Sequence, residues 1–152
     1  RHPERFDAVH AICSQQFATV RRSTGLPLLA QTQVLLGDTM GELLFLYALA
    51  DMAFVGGSLV PTGGHNPLEP AALALPVLMG PHVFNFLEIS AMLREAGALQ
   101  QVDDAQGLAG AVQRLVELPQ DARRMGEAGR AVMRANQGAL QRLLEGLEKL
   151  MP

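Results

Sequence analysis

Short runs of consecutive apolar residues alternate along this chain with longer stretches whose apolar residues recur every three or four positions. Runs of the first kind predict strands over 34–36, 52–55 and 76–80, and two further short strands are expected over 17–21 and 99–102. The runs 52–55 and 76–80 lack polar–apolar alternation, the mark of parallel strands covered on both faces. Stretches of the second kind predict helices over 3–16, 40–50, 67–75, 86–96, 104–118 and 120–135. In 104–118, Leu108, Val112, Leu115 and Val116 form one stripe, and Pro119 separates that helix from the next. A last helix is expected past Gly138, where Leu140, Leu143, Leu144, Leu147 and Met151 share a face. Residues 40–50 are apolar nearly all round, which predicts a buried helix, capped by Asp38 or Thr39. Alternating strands and helices predict a parallel α/β sheet, and ligands of such sheets bind at the carboxyl ends of the strands. The loops 37–42, 56–69 and 80–86 all follow strands and should gather on one edge.

The loop 56–69 is the most informative of the three. It reads Gly56-Gly57-Ser58-Leu59-Val60-Pro61-Thr62-Gly63-Gly64-His65-Asn66-Pro67-Leu68-Glu69, and four of the 15 glycines fall within nine residues. Asn66 suits a helix N-cap, Pro67 the first helical position, and Glu69 completes a capping box. Capping alone accounts for Asn66 and Glu69 but asks for no glycines upstream. Close backbone approach to a phosphate does ask for them. His65, at the loop–helix junction, is open to two uses: donating to a phosphate or holding the loop. Gly41 falls within the predicted first turn of helix 40–50, where glycine costs about 1 kcal/mol against alanine. A nucleobase read by main-chain groups explains it; another planar ligand or tight helix packing are the alternatives.

Composition narrows the class. With 152 residues the chain is long enough for one domain with a core, and 49% of it is apolar. A net charge of −3 argues against nucleic-acid binding. Eleven of the 12 basic residues are arginine, and Arg114, Arg123, Arg124, Arg130, Arg134 and Arg142 cluster late, on what reads as solvated helix surface. The lone Cys13 excludes an internal disulfide and reads as a buried packing thiol. No GxGxxG, P-loop, CxxC, HExxH or GxSxG motif occurs, so neither a metal nor a dinucleotide cofactor is expected. Ser58 lacks a marked base and reads as no nucleophile. His82 and Asn85 read as a structural pair. Arg1 and His2 offer phosphate donors, with disorder at a chain end as the competing reading. The turn at residues 1–6 usually follows a strand, so the chain is expected to be a fragment of a longer protein.

Several segments together resemble the C-terminal half of the 3-deoxy-D-manno-octulosonic acid (Kdo) transferase family. They are Arg1-His2-Pro3-Glu4-Arg5-Phe6, Gly37-Asp38-Thr39-Met40-Gly41-Glu42-Leu43, Ala53-Phe54-Val55-Gly56-Gly57-Ser58-Leu59, Gly63-Gly64-His65-Asn66-Pro67-Leu68-Glu69, Val77-Leu78-Met79-Gly80-Pro81-His82 and Asn136-Gln137-Gly138-Ala139-Leu140. Their joint order and spacing are specific, whereas any one motif alone is weak. The resemblance implies a parallel Rossmann-like sheet flanked by helices, the C-terminal half of a GT-B glycosyltransferase, over residues 1–152. It implies binding of the donor CMP-Kdo: Arg1 near the phosphate, Met40, Gly41 and Glu42 around the cytidine end, and Asn66, Pro67, Leu68 and Glu69 at phosphate and ribose. Gly56, Gly57, Ser58, Gly63, Gly64 and His65 would shape the loop near sugar and phosphate.

In that family an N-terminal domain binds the lipid A precursor, carries the membrane anchor and supplies the catalytic carboxylate. This chain shows no such domain, so no catalytic residue is assigned, and the fragment is expected to be inactive alone. The whole enzyme is expected at the cytoplasmic face of the bacterial inner membrane, in lipopolysaccharide biosynthesis. The fragment itself is expected to be soluble, with its sheet completed by further chain or a partner. Two rival readings are an enzyme for a UDP-sugar and a non-catalytic nucleotide-binding module.

Overall fold

The computed structural model describes residues 2–136, in two compact units that divide between Ala48 and Leu49. Arg1, the stretch 137–152 and the expected last helix lie outside the described residues. Among those described, no helix is long and apolar enough to cross a membrane.

The first unit opens with a 3-10 turn at Pro3–Arg5 that runs into helix α1 (Phe6–Ser14). Strands β1 (Thr19–Arg21) and β2 (Val34–Leu36) pair in parallel, with Thr19 opposite Val34 and Arg21 opposite Leu36. Helix α2 (Leu43–Ala48) follows. Two expectations fail here. The helix begins at Leu43 rather than at residue 40, because Gly41 has φ +82°, outside the right-handed helical region. The helix also contains no buried residue, and Leu44 and Phe45 are more than half exposed. An all-apolar stretch gives no direction to a face, so burial does not follow from it. Cys13 is half-buried rather than enclosed, since α1 contributes no fully buried residue.

The second unit is a three-stranded parallel sheet in the order β3 (Ala53–Val55), β4 (Val77–Met79), β5 (Leu99–Gln101). Ala53 lies opposite Val77, and Val77 opposite Leu99. Helix α3 (Leu68–Ala72) joins β3 to β4, and α4 (Leu87–Glu95), after a 3-10 turn at Phe84–Phe86, joins β4 to β5. Helices α5 (Ala105–Glu117) and α6 (Pro119–Asn136) close the described chain. Asp104 caps α5, its Oδ1 accepting from the Gly107 amide at 2.8 Å.

Central strand β4 is buried on both faces, which is why it reads as an unbroken apolar run. Val77 and Met79 pack with Val55, Ala71, Leu93, Ala98 and Leu99 on one face. Leu78 packs on the other with Val102, Ala111, Leu115 and Met125. Each large aliphatic side chain fully buried this way contributes about 1.5–3 kcal/mol. Helix α6 serves both clusters, Met125 in one and Val132 and Met133 against the other.

Helix α3 ends earlier than its apolar pattern predicts. Ala74 sits in the left-handed region at φ +59°, the Leu75 amide donates to Pro70 O and the Ala74 amide to Ala71 O, both at 3.1 Å. These two bonds make a Schellman motif with alanine where glycine is usual. Left-handed alanine costs roughly 1–2 kcal/mol. Ala74→Gly is therefore expected to raise stability by about 0.5–1 kcal/mol after glycine's greater unfolded-state entropy is deducted. A urea titration checks this, and an unchanged or lower midpoint would remove the strain argument.

Candidate functional site

The carboxyl ends of β3 and β4 carry the glycine loop and the 80–86 loop. The two are sewn together: His82 N donates to Ser58 O at 3.0 Å, Asn85 N to Gly63 O at 3.2 Å, and Asn85 Nδ2 to Thr62 O at 3.1 Å. Ser58 is the internal pin. Its fully buried hydroxyl donates to Val55 O at 2.6 Å and accepts from the Gly80 amide at 2.8 Å. It is committed to holding the loop, so its side chain has no part in direct ligand chemistry.

The glycine loop folds back on itself. Gly64 N donates to Gly57 O at 2.8 Å, His65 N to Gly56 O at 3.1 Å, and the Thr62 hydroxyl to Gly57 O at 2.7 Å. This reversal puts Gly57, Gly63 and Gly64 at φ +70°, +93° and +74°, conformations that glycine alone adopts at little cost. A Cβ on Gly64 would stand 3.0 Å from Met79 Cε, and one on Gly57 3.5 Å from the His65 ring. A Cβ on Gly56 would meet open space. Part of the glycine content thus serves the loop's own closure, which does not account for Gly56.

Just before α3, Asn66 Oδ1 accepts from Leu68 N at 3.0 Å, but the cap position itself falls at Pro67, one residue later than the sequence predicts, because the first helical bond runs from the Ala71 amide to Pro67 O. Pro67 is buried; Leu68 and Glu69 are half-buried and His65 exposed. Gly56, Gly57, Ser58 and residues 63–69 accordingly form one continuous edge of the second unit. Thr62 and Asn85 belong to it as well. Sequence reasoning took Asn85 for a structural residue, which the two bonds it makes bear out, and did not single out Thr62.

In the first unit the loop 37–42 is held at both ends by three consecutive residues. Arg21 Nε donates to Asp38 Oδ2 at 2.6 Å, and the Ser23 hydroxyl to the same oxygen at 2.6 Å. The Ser23 amide donates to Asp38 Oδ1 at 2.8 Å. Arg22 Nη2 donates to Glu42 Oε1 at 2.9 Å, and the Thr39 hydroxyl donates to Glu42 Oε2. Neither Asp38 nor Thr39 therefore caps α2, a correction with a clear cause: the helix begins only at Leu43, the Asp38 carboxylate is engaged by Arg21 and Ser23, and the Thr39 hydroxyl donates to Glu42. Met40 is 63% exposed, and a Cβ on Gly41 would meet nothing within 4 Å. Tight helix packing is thus ruled out as the reason for Gly41; backbone conformation requires it. Sequence reasoning missed Arg21, Arg22 and Ser23, whose signal was an Arg-Arg-Ser run closing a strand.

Burial raises the Asp38 carboxyl, but the bonds from the Ser23 hydroxyl, the Arg21 guanidinium and the Ser23 amide outweigh it and hold the group well below the usual carboxylate range. A depressed folded-state value contributes stability that is complete above the unfolded value, about pH 3.9, and is lost as pH falls toward the folded one. The first unit is therefore expected to weaken between about pH 4 and pH 2, and Asp38→Asn to flatten that dependence. Tyr47, the only tyrosine in a chain without tryptophan, reports it by fluorescence. An equally steep loss in Asp38→Asn would assign the effect to another group.

A cavity of about 490 Å³ lies at the opposite edge of the second unit's sheet, lined by residues that include Met52, Leu75, Pro76, Leu115 and Arg123. It sits at the amino ends of β3 and β4, away from the glycine loop, and so is not the site that strand topology favours.

The family model for glycosyl transferases group 1 matches residues 14–132. The chain is 49% identical over 150 residues to the 3-deoxy-D-manno-octulosonic acid transferase of Haemophilus influenzae, covering 97% of itself and 35% of that protein. With the Bordetella pertussis transferase of the same name it shares 44% identity over 154 residues, again 97% of itself and 35% of the relative. It thus spans about a third of the length of the curated relatives it matches. The crystal structure of the C-terminal CMP-Kdo binding domain of WaaA from Acinetobacter baumannii is similar with a TM-score of 0.84 and 41% identity, over 88% of this chain and 70% of that one. The strand order, the glycine loop and these likenesses lead to one conclusion: the chain belongs to the group 1 glycosyltransferases, among the homologues of the 3-deoxy-D-manno-octulosonic acid transferases, and has the fold of their C-terminal GT-B domain.

Proposed function

We propose that this chain is the donor-binding domain of a Kdo transferase, which moves Kdo from CMP-Kdo to a lipid A precursor in lipopolysaccharide biosynthesis. What carries the reading is the likeness, at 41% identity, to a domain described as CMP-Kdo binding. Residues 1–152 form the nucleotide-sugar half, and the acceptor domain with its membrane anchor and base lies elsewhere in the parent protein, at the cytoplasmic face of the inner membrane.

The acceptor hydroxyl attacks the anomeric carbon of Kdo as a base in the acceptor domain takes its proton. The bond from that carbon to the phosphate oxygen breaks, and CMP leaves with the electron pair. This chain's part is to hold the donor and to meet the charge that grows on the leaving phosphate. The open backbone at Gly56 and the loop 63–66 suit the phosphate and sugar. The family resemblance would give residues 40–42 the cytidine end and Arg1 the phosphate, and Glu69 would accept from the ribose hydroxyls, as an ionised carboxylate does well.

Glu69→Ala is expected to weaken CMP binding by roughly 1–3 kcal/mol, the value of a hydrogen bond to a charged group. A capping role predicts instead a loss of stability of about 1 kcal/mol with unchanged affinity. Calorimetric titration beside a denaturation curve separates the two. Unchanged CMP affinity with lowered stability would return Glu69 to capping.

A further inference from the structure

The pair Arg22–Glu42 has a geometry that a plain surface ion pair lacks. Its two side chains are 38% and 32% exposed, and Glu42 Oε2 is simultaneously held by Thr39, three residues back. The turn Thr39-Met40-Gly41-Glu42 is therefore closed by one side-chain bond and anchored by a second to the end of β1. Asp38, just before it, is anchored to Arg21 and Ser23. With both ends fixed, the middle of the turn, Met40 and Gly41, is displayed outward.

We infer that Arg22 is a positioning residue for nucleobase recognition: by holding Glu42 it fixes the Met40–Gly41 main chain in the form that reads the base. The inference rests on the donor-nucleotide reading above. It adds a residue that touches no ligand and sets base selectivity through another side chain. The carboxylate of Glu42 is then chiefly a strut, since both its oxygens are engaged within the protein. Removing Arg22 leaves the turn closed only by Thr39, free to pivot about Gly41, where glycine permits many backbone states.

The test titrates CMP and UMP into the full-length protein, as wild type, Arg22→Ala and Arg22→Lys. The affinity ratio of the two nucleotides is the readout, because partial unfolding lowers both affinities equally and leaves the ratio untouched. The ratio is expected to fall about tenfold in Arg22→Ala, near the lower end of what a charge-assisted bond contributes. Arg22→Lys should recover most of it, since the observed contact uses a single guanidinium nitrogen. Equal ratios in wild type and Arg22→Ala, with CMP still preferred, would overturn the inference and leave the donor reading intact. A wild type that prefers UMP, or binds neither nucleotide, would overturn the donor reading and the inference with it.

Discussion

Gly126→Ala is expected to lower the melting temperature by roughly 5–10 °C without altering the site. Gly126 lies where α6 crosses α3, and a Cβ there would stand 1.9 Å from the Ala74 carbonyl oxygen and 2.7 Å from its carbon. Both are backbone atoms, held in place by the Schellman bonds that end α3, so no side chain can rotate away. Overpacking of this kind costs about 3 kcal/mol. Alanine's better helix propensity offsets about 1 kcal/mol of that, leaving roughly 2 kcal/mol of destabilisation. Gly129, one turn on, faces Ala71 Cβ at 3.3 Å and tolerates alanine better. Thermal unfolding followed by circular dichroism compares the two variants. A Gly126→Ala protein as stable as wild type would mean that α6 can lift from α3 at little cost.

Gly80→Ala is expected to damage both stability and nucleotide binding. Gly80 is the first residue after β4, and its Cβ would fall 2.2 Å from Ser58 O and 2.6 Å from Leu59 N. Those atoms belong to the glycine loop, and the Gly80 amide is itself bound by the Ser58 hydroxyl. Relief requires the whole loop to move off the strand, breaking the Ser58–Gly80 and Ser58–His82 bonds together. Two lost bonds at a buried hydroxyl and carbonyl, about 1–3 kcal/mol each, add to the overpacking. CMP affinity of the folded fraction should fall at least tenfold, as a displaced loop no longer presents its backbone to the phosphate. Gly126→Ala is the control, with a comparable clash remote from the loop. If Gly80→Ala retains full affinity, the loop's fixed position is not what binds the nucleotide.

The elements that sequence made plain were those with one dominant physical cause. Val77–Met79 read as a strand because a strand covered on both faces is apolar without interruption, whereas β2 and β3, apolar as well, leave Leu35 and Phe54 exposed, so an unbroken apolar run locates a strand without fixing that both its faces are covered. The side-chain bond of Asn66 at the start of α3 was legible because its partner Leu68 is two residues away, although the cap position itself falls at Pro67. What stayed hidden depended on partners distant in the sequence. Asp38 looked like a helix cap until Arg21 and Ser23, 17 and 15 residues away, were found to occupy it. Ser58 reads from the sequence only as a residue that shapes the loop; that its hydroxyl is held by the Gly80 amide, 22 residues on, has no local signal. The glycine pairs signalled a special loop correctly, but no local rule says that three of the four glycines are needed for its reversal and for packing on Met79, Asn85 and His65. The early end of α3 at Ala74 was illegible for a different reason: alanine there breaks the usual preference for glycine in the left-handed cap.

The central claim is that the donor nucleotide binds at the carboxyl edge of β3 and β4, on the glycine loop. Its most direct test is a CMP titration of protein labelled with 15N at glycine, followed by amide shifts. The account predicts progressive shifts at Gly56, Gly57, Gly63 and Gly64, with a smaller one at Gly80, while Gly97, Gly110 and Gly129 stay unmoved. Saturating CMP that shifts none of the loop glycines, or that shifts Gly126 beside Ala74 and the cavity at the opposite edge instead, would contradict it.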